Sequence, residues 1–294
     1  MSLLKRIAKH TYEAIPFKQP VFSLVRSVAK LPEPVFRHLH FKGTITIPVG
    51  ENASFRMVHH GYVIENELFW RGLDGWEKVS LELWRRLSAR SKVIFDIGAN
   101  TGVFGLLAQA ANPEAVVVAV EPVERIFEKL RKNIALNGER VKGVHAAVSD
   151  HKGTAVLYDM TESEHVLSVS LNKEWNKAST QLRPVEVPCL TVMDLVEMTG
   201  AGTVDLLKID VETHEPAVLR GFQALLRKDR PTMLIELLTE EVAREVAGLI
   251  HGLDYVYYNI DDVTWPPPRV EALSRSGHFN YLICRPEVAT SIGL

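Results

Sequence analysis

Cysteine is nearly absent: Cys189 and Cys284 are the two thiols among 294 residues, each in a strand-like apolar setting ("VEVPCLTV", "NYLICRP"). Two isolated cysteines exclude a disulfide-stapled scaffold and a Cys-based zinc site, and they fit a reducing compartment, so a cytoplasmic location is expected. Long apolar runs are missing too. No stretch of 18 apolar residues occurs, and "MSLLKRIAKHTYEAIPF" has no uninterrupted apolar centre, so neither a transmembrane segment nor a secretory leader is expected. An excess of either charge is also lacking: 34 basic and 36 acidic residues leave −2 at neutral pH. That balance gives no global reason to bind nucleic acid, whose phosphates select a basic face.

What is present is ordinary soluble-protein material, 46% hydrophobic and 24% charged, enough for a large core. One main domain with an appendage is expected, divided as residues 1–68 and 69–294. The first 42 residues carry eight Lys and Arg (Lys5, Arg6, Lys9, Lys18, Arg26, Lys30, Arg37, Lys42) against Glu13 and Glu33. Leu3, Leu4, Ile7 and then Val21, Leu24, Val25, Val28 recur at helical spacing between them. Short basic helices of this kind suit contact with an anionic membrane surface, but Pro16, Pro20, Pro32 and Pro34 interrupt them and favour a helical appendage docked on the main domain. "GTITIPV" and "SFRMVHHGYVI" then read as a small β-hairpin.

From Ser91 onward strand-like runs alternate with amphipathic helices: "KVIFDIG", "GVFGLLAQAA", "AVVVAVEP", "VERIFEKLRKNIALNG", "VKGVHAAVSD". After a polar interruption containing Trp175, "VDLLKID", "EPAVLRGFQALLRK", "PTMLIELL" and "EEVAREVAGLIHGL" resume the pattern. Such repetition predicts an α/β, Rossmann-like, doubly wound sheet, because each parallel strand needs a crossover helix to return. The closing strands "DYVYYNI" and "HFNYLICR" have no helix between them and predict an antiparallel edge.

"VIFDIGANTGVFG" ends a buried strand with Asp96 and places Gly98, Asn100, Thr101 and Gly102 before a helix, where a doubly wound sheet binds ligands. The spacing is D-x-G-x-N-x-G, not the G-x-G-x-x-G of dinucleotide sites. An acid there repels a pyrophosphate and suits an ammonium, which favours S-adenosyl-L-methionine over a nicotinamide dinucleotide. Glu121 and Pro122, in "AVEP", stand where a carboxylate accepts ribose hydroxyls. "HAAVSD" then puts Ala147, Val148 and Ser149 beside the adenine, with Asp150 as acceptor for its amine.

These segments together resemble the FkbM family of class I S-adenosylmethionine-dependent methyltransferases, most specifically through "LLKIDVETHEPAVLRGF", which is similar to the family's K-I-D-V-E-G-H-E signature. "GWEKVSLELWRRL" resembles the aromatic-Glu segment ahead of the family's domain and brings Glu77 into the cofactor set. The resemblance runs from about Phe69 to Pro286. It implies a seven-stranded sheet with the last strand antiparallel, methyl transfer to oxygen, and hydroxylated small molecules or glycans as acceptors. Thr213 departs from the family's glycine, which bears on what can approach His214.

Strand alternation sends Lys208, Asp210 and Glu212 to one face and Leu207, Ile209 and Val211 to the other. Asp210 is expected at the cofactor or acceptor, His214 or Glu212 as the base, and Lys208 as the cation that keeps neighbouring carboxylates ionised. A divalent metal on Asp210, Glu212, His214 and Glu236 is the less favoured alternative, since no dedicated oxygen cage is visible, and no metal is assigned. A structural ion-pair network is another. Ser168 to Leu171, Trp175 and Trp265 flank the expected acceptor side, with Trp265 assigned to the core in preference to a sugar face. The competing functions are a nicotinamide-dependent oxidoreductase and a non-catalytic S-adenosylmethionine-binding protein.

Overall fold

A computed structural model describes residue 12 and residues 15–160 and 182–294. The readings made on Leu3, Leu4, Ile7, Ser168 to Leu171 and Trp175 lie outside the described residues. Helices α1 (Lys18–Val28) and α2 (Glu33–Phe36) lead into the hairpin β1 (Gly43–Pro48) and β2 (Ser54–His59). Period-two alternation turns Ile45, Ile47, Phe55 and Met57 inward, and the register pairs Ile45 with Met57 and Ile47 with Phe55. Helices α3 (Val63–Arg71) and α4 (Lys78–Ser88) follow, and all these elements share one apolar cluster with the main sheet.

The alternating part runs β3 (Val93–Ile97), α5 (Val103–Ala111), β4 (Val116–Val120), α6 (Glu124–Leu136) and β5 (Lys142–Val144). A separate three-stranded sheet, β6 (Ala147–Val148), β7 (Gly153–Met160) and β8 (Leu182–Leu190), interrupts it. The chain returns through α7 (Val192–Thr199), whose start is fixed by reciprocal hydrogen bonds between Thr191 and Asp194. Then come β9 (Leu206–Ile209), α8 (Glu215–Arg220), α9 (Gln223–Asp229), β10 (Thr232–Glu236), α10 (Glu240–Ile250), β11 (Val256–Ile260), β12 (Arg269–Val270), β13 (Asn280–Cys284) and α11 (Pro286–Ser291).

The main sheet has the order β12-β11-β13-β10-β9-β3-β4-β5. Its seven principal strands are those expected, and the two-residue β12 makes an eighth. The antiparallel C-terminal strand is not at the edge: β13 lies between β10 and β11 and pairs antiparallel with both. Helix α10 carries the chain two strand positions past β10, and the returning β13 fills the gap, where it satisfies two backbone ladders instead of one. The run "VKGVHAAVSD" also divides, since β5 pairs with β4 while β6 pairs with β8 in the other sheet.

Both faces of the sheet are covered, so the central strands are apolar nearly throughout. Phe95, Ile97, Leu207 and Ile209 face α7 to α10, and Ile94 and Leu206 face α4 and α5. Asp96 and Lys208 belong to the second face and are register partners on the parallel strands β3 and β9. Connections from β3 and β9 leave in opposite directions along the sheet, which opens a crevice at their C-terminal ends.

Candidate functional site

A cleft of ≈ 240 Å³ occupies that crevice. Its walls are the loop Gly98–Thr101, the β4 end Glu121 to Val123, Ala146 to Val148, and the β9 and β10 ends with Lys208, Asp210, Glu212 and Glu236. Gly98 has φ +80°, and a Cβ there would meet the Asp210 carbonyl oxygen at 1.8 Å. Glycine is required because the first loop packs directly on the end of β9, a reason within the protein as strong as any ligand. Gly102, the residue ahead of α5, does not line the cleft; at φ +95° its Cβ would strike Leu130 at 2.5 Å.

At the β4 end, the buried Glu121 carboxylate accepts the Asn100 N–H at 3.0 Å on Oε2 and the Val123 N–H at 2.9 Å on Oε1. Burial pushes its pKa up to about 7, against the lowering effect of those two amides. Each oxygen keeps a lone pair for a further donor. Asp96 caps α5 by accepting the Gly105 N–H at 2.8 Å on Oδ2, while its buried Oδ1 has no hydrogen-bond partner. Burial raises Asp96 to about 6, with Lys208 opposing. Glu77, just before α4, likewise has a buried Oε2 without a partner and is raised to about 7 by burial, again opposed by Lys208.

The opposite end is acidic. Lys208 is 4% exposed and donates to Asp210 Oδ2 at 2.7 Å, with its ammonium 4.6 Å from the centre of the Phe104 ring. Burial alone would lower its pKa, but Asp210, Glu77 and Asp96 outweigh burial and raise it. Asp210, Glu212 and Glu236 bring carboxylate oxygens within 4.8 Å of one another, a spacing that one cation could bridge. Burial and then repulsion from Asp210 and Glu212 drive the Glu236 pKa strongly upward. Glu212 reaches this cluster through a turn, because β9 ends at Ile209 and Glu212 and Thr213 have φ +53° and +76°. Two consecutive side chains in the left-handed region are strained, the β-branched Thr213 most of all.

Several expected residues lie elsewhere. His214 does not line the cleft; its Nε2 meets Ser149 Oγ at 2.9 Å, and burial lowers its pKa. The structure therefore does not bring it together with Glu212, the other expected base, on the cleft wall. Ser149 and Asp150 are also absent from the cleft wall, the latter being turned to His151 at 3.0 Å and Arg220 at 3.4 Å. Trp265 belongs neither to the core nor to the cleft: it is partly exposed, with the Arg86 guanidinium 4.5 Å over its ring. Glu215 is buried behind the site and closes the loop by accepting the Val211 N–H. Glu236, weighed in the sequence only as a metal ligand, joins the acidic wall, and Trp76 and Leu157 line the cleft unforeseen.

The residues present fit a cationic nucleoside cofactor. Glu121, on the cleft wall, retains acceptor capacity for ribose hydroxyls, and Ala146, Ala147 and Val148 offer an apolar wall for a base; the expected cofactor ligands Glu77 and Asp96 do not line the cleft but lie buried behind it, each, like Glu215, with one oxygen lacking a donor.

The family model of the methyltransferase FkbM domain matches residues 96–257, more than half of the chain. Methyltransferase sdnD of Sordaria araneosa is 26% identical over 215 residues, covering 67% of this chain and 76% of its own length. The 31-O-demethyl-FK506 methyltransferase FkbM of Streptomyces tacrolimicus is 28% identical over 154 residues, 45% of this chain and 59% of that protein. The 2-O-methyltransferase NoeI of Sinorhizobium fredii is 26% identical over 162 residues, 52% of this chain and 66% of that protein.

Proposed function

The chain belongs to the FkbM methyltransferase family, and we propose that it is an S-adenosylmethionine-dependent O-methyltransferase whose acceptor is a hydroxyl of a small metabolite or glycan. The charge of the cleft carries this reading. Glu121, Asp210, Glu212 and Glu236 face it, and its one lysine among the described residues, Lys208, is already paired with Asp210. A wall of carboxyl groups with its lysine already engaged offers little to a dinucleotide pyrophosphate and suits a sulfonium and an ammonium. Two relatives named for O-methylation support the choice of oxygen.

When bound, the cofactor supplies an electrophilic methyl group on sulfur. Glu121 would hold its ribose hydroxyls and Ala147 and Val148 its adenine, with Glu77 and Asp96 buried behind the cleft as an acidic background that favours its ammonium. Alignment of an acceptor hydroxyl between these anchors and the acidic wall can contribute about 7–11 kcal/mol to the rate. The cluster of Asp210, Glu212 and Glu236 would receive the hydroxyl proton. Lys208 fixes Asp210 by a hydrogen bond from a buried ammonium.

Isothermal titration with S-adenosylhomocysteine and with NAD separates this reading from an oxidoreductase. Binding of NAD, with no S-adenosylhomocysteine bound at hundreds of micromolar, would sink it. Methyl uptake from labelled cofactor onto sugars, polyols and lipid-linked glycans then tests the acceptor class, and an N-methylated product would contradict the oxygen assignment.

A further inference from the structure

A second cavity, ≈ 1020 Å³, lies between the start of α1, the turn after β2 and helix α6. Lys18, Lys42, Lys129 and Lys132 line it, and its one carboxylate among the described residues, Glu128, is held by Arg131 at 2.8 Å. The Nε2 of His60, on the same wall, is buried without a hydrogen-bond partner. Lys18 donates to the Tyr12 carbonyl at 2.8 Å and Lys129 to the Tyr62 hydroxyl at 2.7 Å, neutral partners that leave the positive charge in place, so a cavity with this lining among the described residues has the chemistry of an anion site.

Helix α1 borders this cavity and contains no fully buried residue. Its inner side is fixed: Gln19 donates to the Thr44 carbonyl at 2.7 Å, Arg26 to the Phe69 carbonyl, and Phe22 and Val25 pack on the core. The outer side is an apolar stripe at helical spacing, Phe17 (77% exposed), Val21 (53%), Leu24 (67%) and Val28 (77%). Phe17 belongs to both the stripe and the cavity wall.

We propose that α1 and the lysine-lined cavity form one face that binds an anionic membrane surface, with the stripe entering the headgroup–acyl boundary and the lysines holding lipid phosphates. An 11-residue helix is too short to span a bilayer but long enough to lie in its interface. Charge complementarity selects this occupant. A second copy would set lysine against lysine, and a small soluble anion has no use for four exposed apolar side chains in register.

Co-sedimentation of the full chain with phosphatidylcholine vesicles, with and without phosphatidylglycerol, tests the proposal. Binding is expected only with the anionic lipid and should weaken as salt is added. The double substitution Leu24→Asp, Val28→Asp should lower partitioning on the order of tenfold. Lys42→Ala and Lys132→Ala should each lower it about fivefold. None of these residues lines the cofactor cleft, so S-adenosylhomocysteine titration of each variant checks that it is folded. Three results overturn the proposal: no binding to anionic vesicles, vesicle binding unaffected by the Leu24 and Val28 changes, or binding of inorganic phosphate without vesicle binding. Self-association abolished by the Leu24 and Val28 changes, without vesicle binding, assigns the face to a second copy and overturns it equally.

Discussion

The two ends of the cleft are built on opposite electrostatic terms. Around Glu121 the hydrogen bonding is settled before any ligand arrives, because each carboxylate oxygen already accepts a backbone amide, even though burial raises its pKa to about 7. Around Glu236 three carboxylates crowd together, and the nearby ammonium of Lys208 is directed at Asp210. A binding end gains from rigid, satisfied groups, whereas a proton-accepting end needs basicity, which crowded carboxylates supply. The contrast supports the proposed division, with ligand anchoring at one end and chemistry at the other.

The strongest test of that division is Glu236→Gln, with Glu212→Gln beside it. Each should lower turnover by about 10²–10⁴ while S-adenosylhomocysteine affinity stays within about threefold; a loss of affinity without loss of turnover would erase the contrast. Next comes Glu121→Gln, which sets an amide NH₂ against a backbone N–H. We expect S-adenosylhomocysteine affinity to fall by about 10- to 100-fold in calorimetry, with turnover at saturation far less changed.

A third test uses pH. Burial raises Asp96 to about 6, Glu77 and Glu121 to about 7, and Glu215 to about 8. A carboxyl raised above its unfolded value contributes stability that is complete below the unfolded pKa and is lost as pH rises through the folded one. His59 and His214, lowered by burial, act at the other side, losing stability as pH falls below the ordinary histidine range. Melting temperature should therefore fall from about pH 6.5 to about 8, and saturating S-adenosylhomocysteine should shrink the fall. A flat or rising profile would show that the buried acids do not carry the shifts ascribed to them.

The smallest effect concerns the turn that delivers Glu212. Thr213→Gly removes a β-branched side chain from φ +76° and should stabilise the fold by about 1 kcal/mol, the relief of strain being partly offset by unfolded-chain entropy. A urea midpoint that falls instead would mean that the threonine side chain is worth more than its strain.

Much of this was legible in the chain. Alternation predicted Lys208 on the face opposite Leu207 and Ile209, and the register of β3 and β9 adds Asp96 as its direct neighbour. The loop after β3 was readable from Asp96, Gly98 and Gly102, although the steric demand on Gly98 comes from Asp210 across the sheet. His214 was not readable: adjacency to Glu212 in sequence says nothing once two left-handed residues redirect the backbone, and it ends against Ser149. Glu236 carried the signal of an acid at a strand end, but its place in the acidic wall depends on β10 lying beside β9.

The sequence by itself determined the parallel strands, their buried faces and the acids at their ends, because period-two and helical patterns are local properties of neighbouring residues. Only the tertiary structure decided that β13 enters between β10 and β11, that Glu236 joins Asp210 and Glu212, and that His214, Ser149 and Asp150 stay outside the cleft. Strand order and the direction of a turn are set by which packing satisfies the most backbone and buries the most apolar surface, and no local pattern encodes that choice.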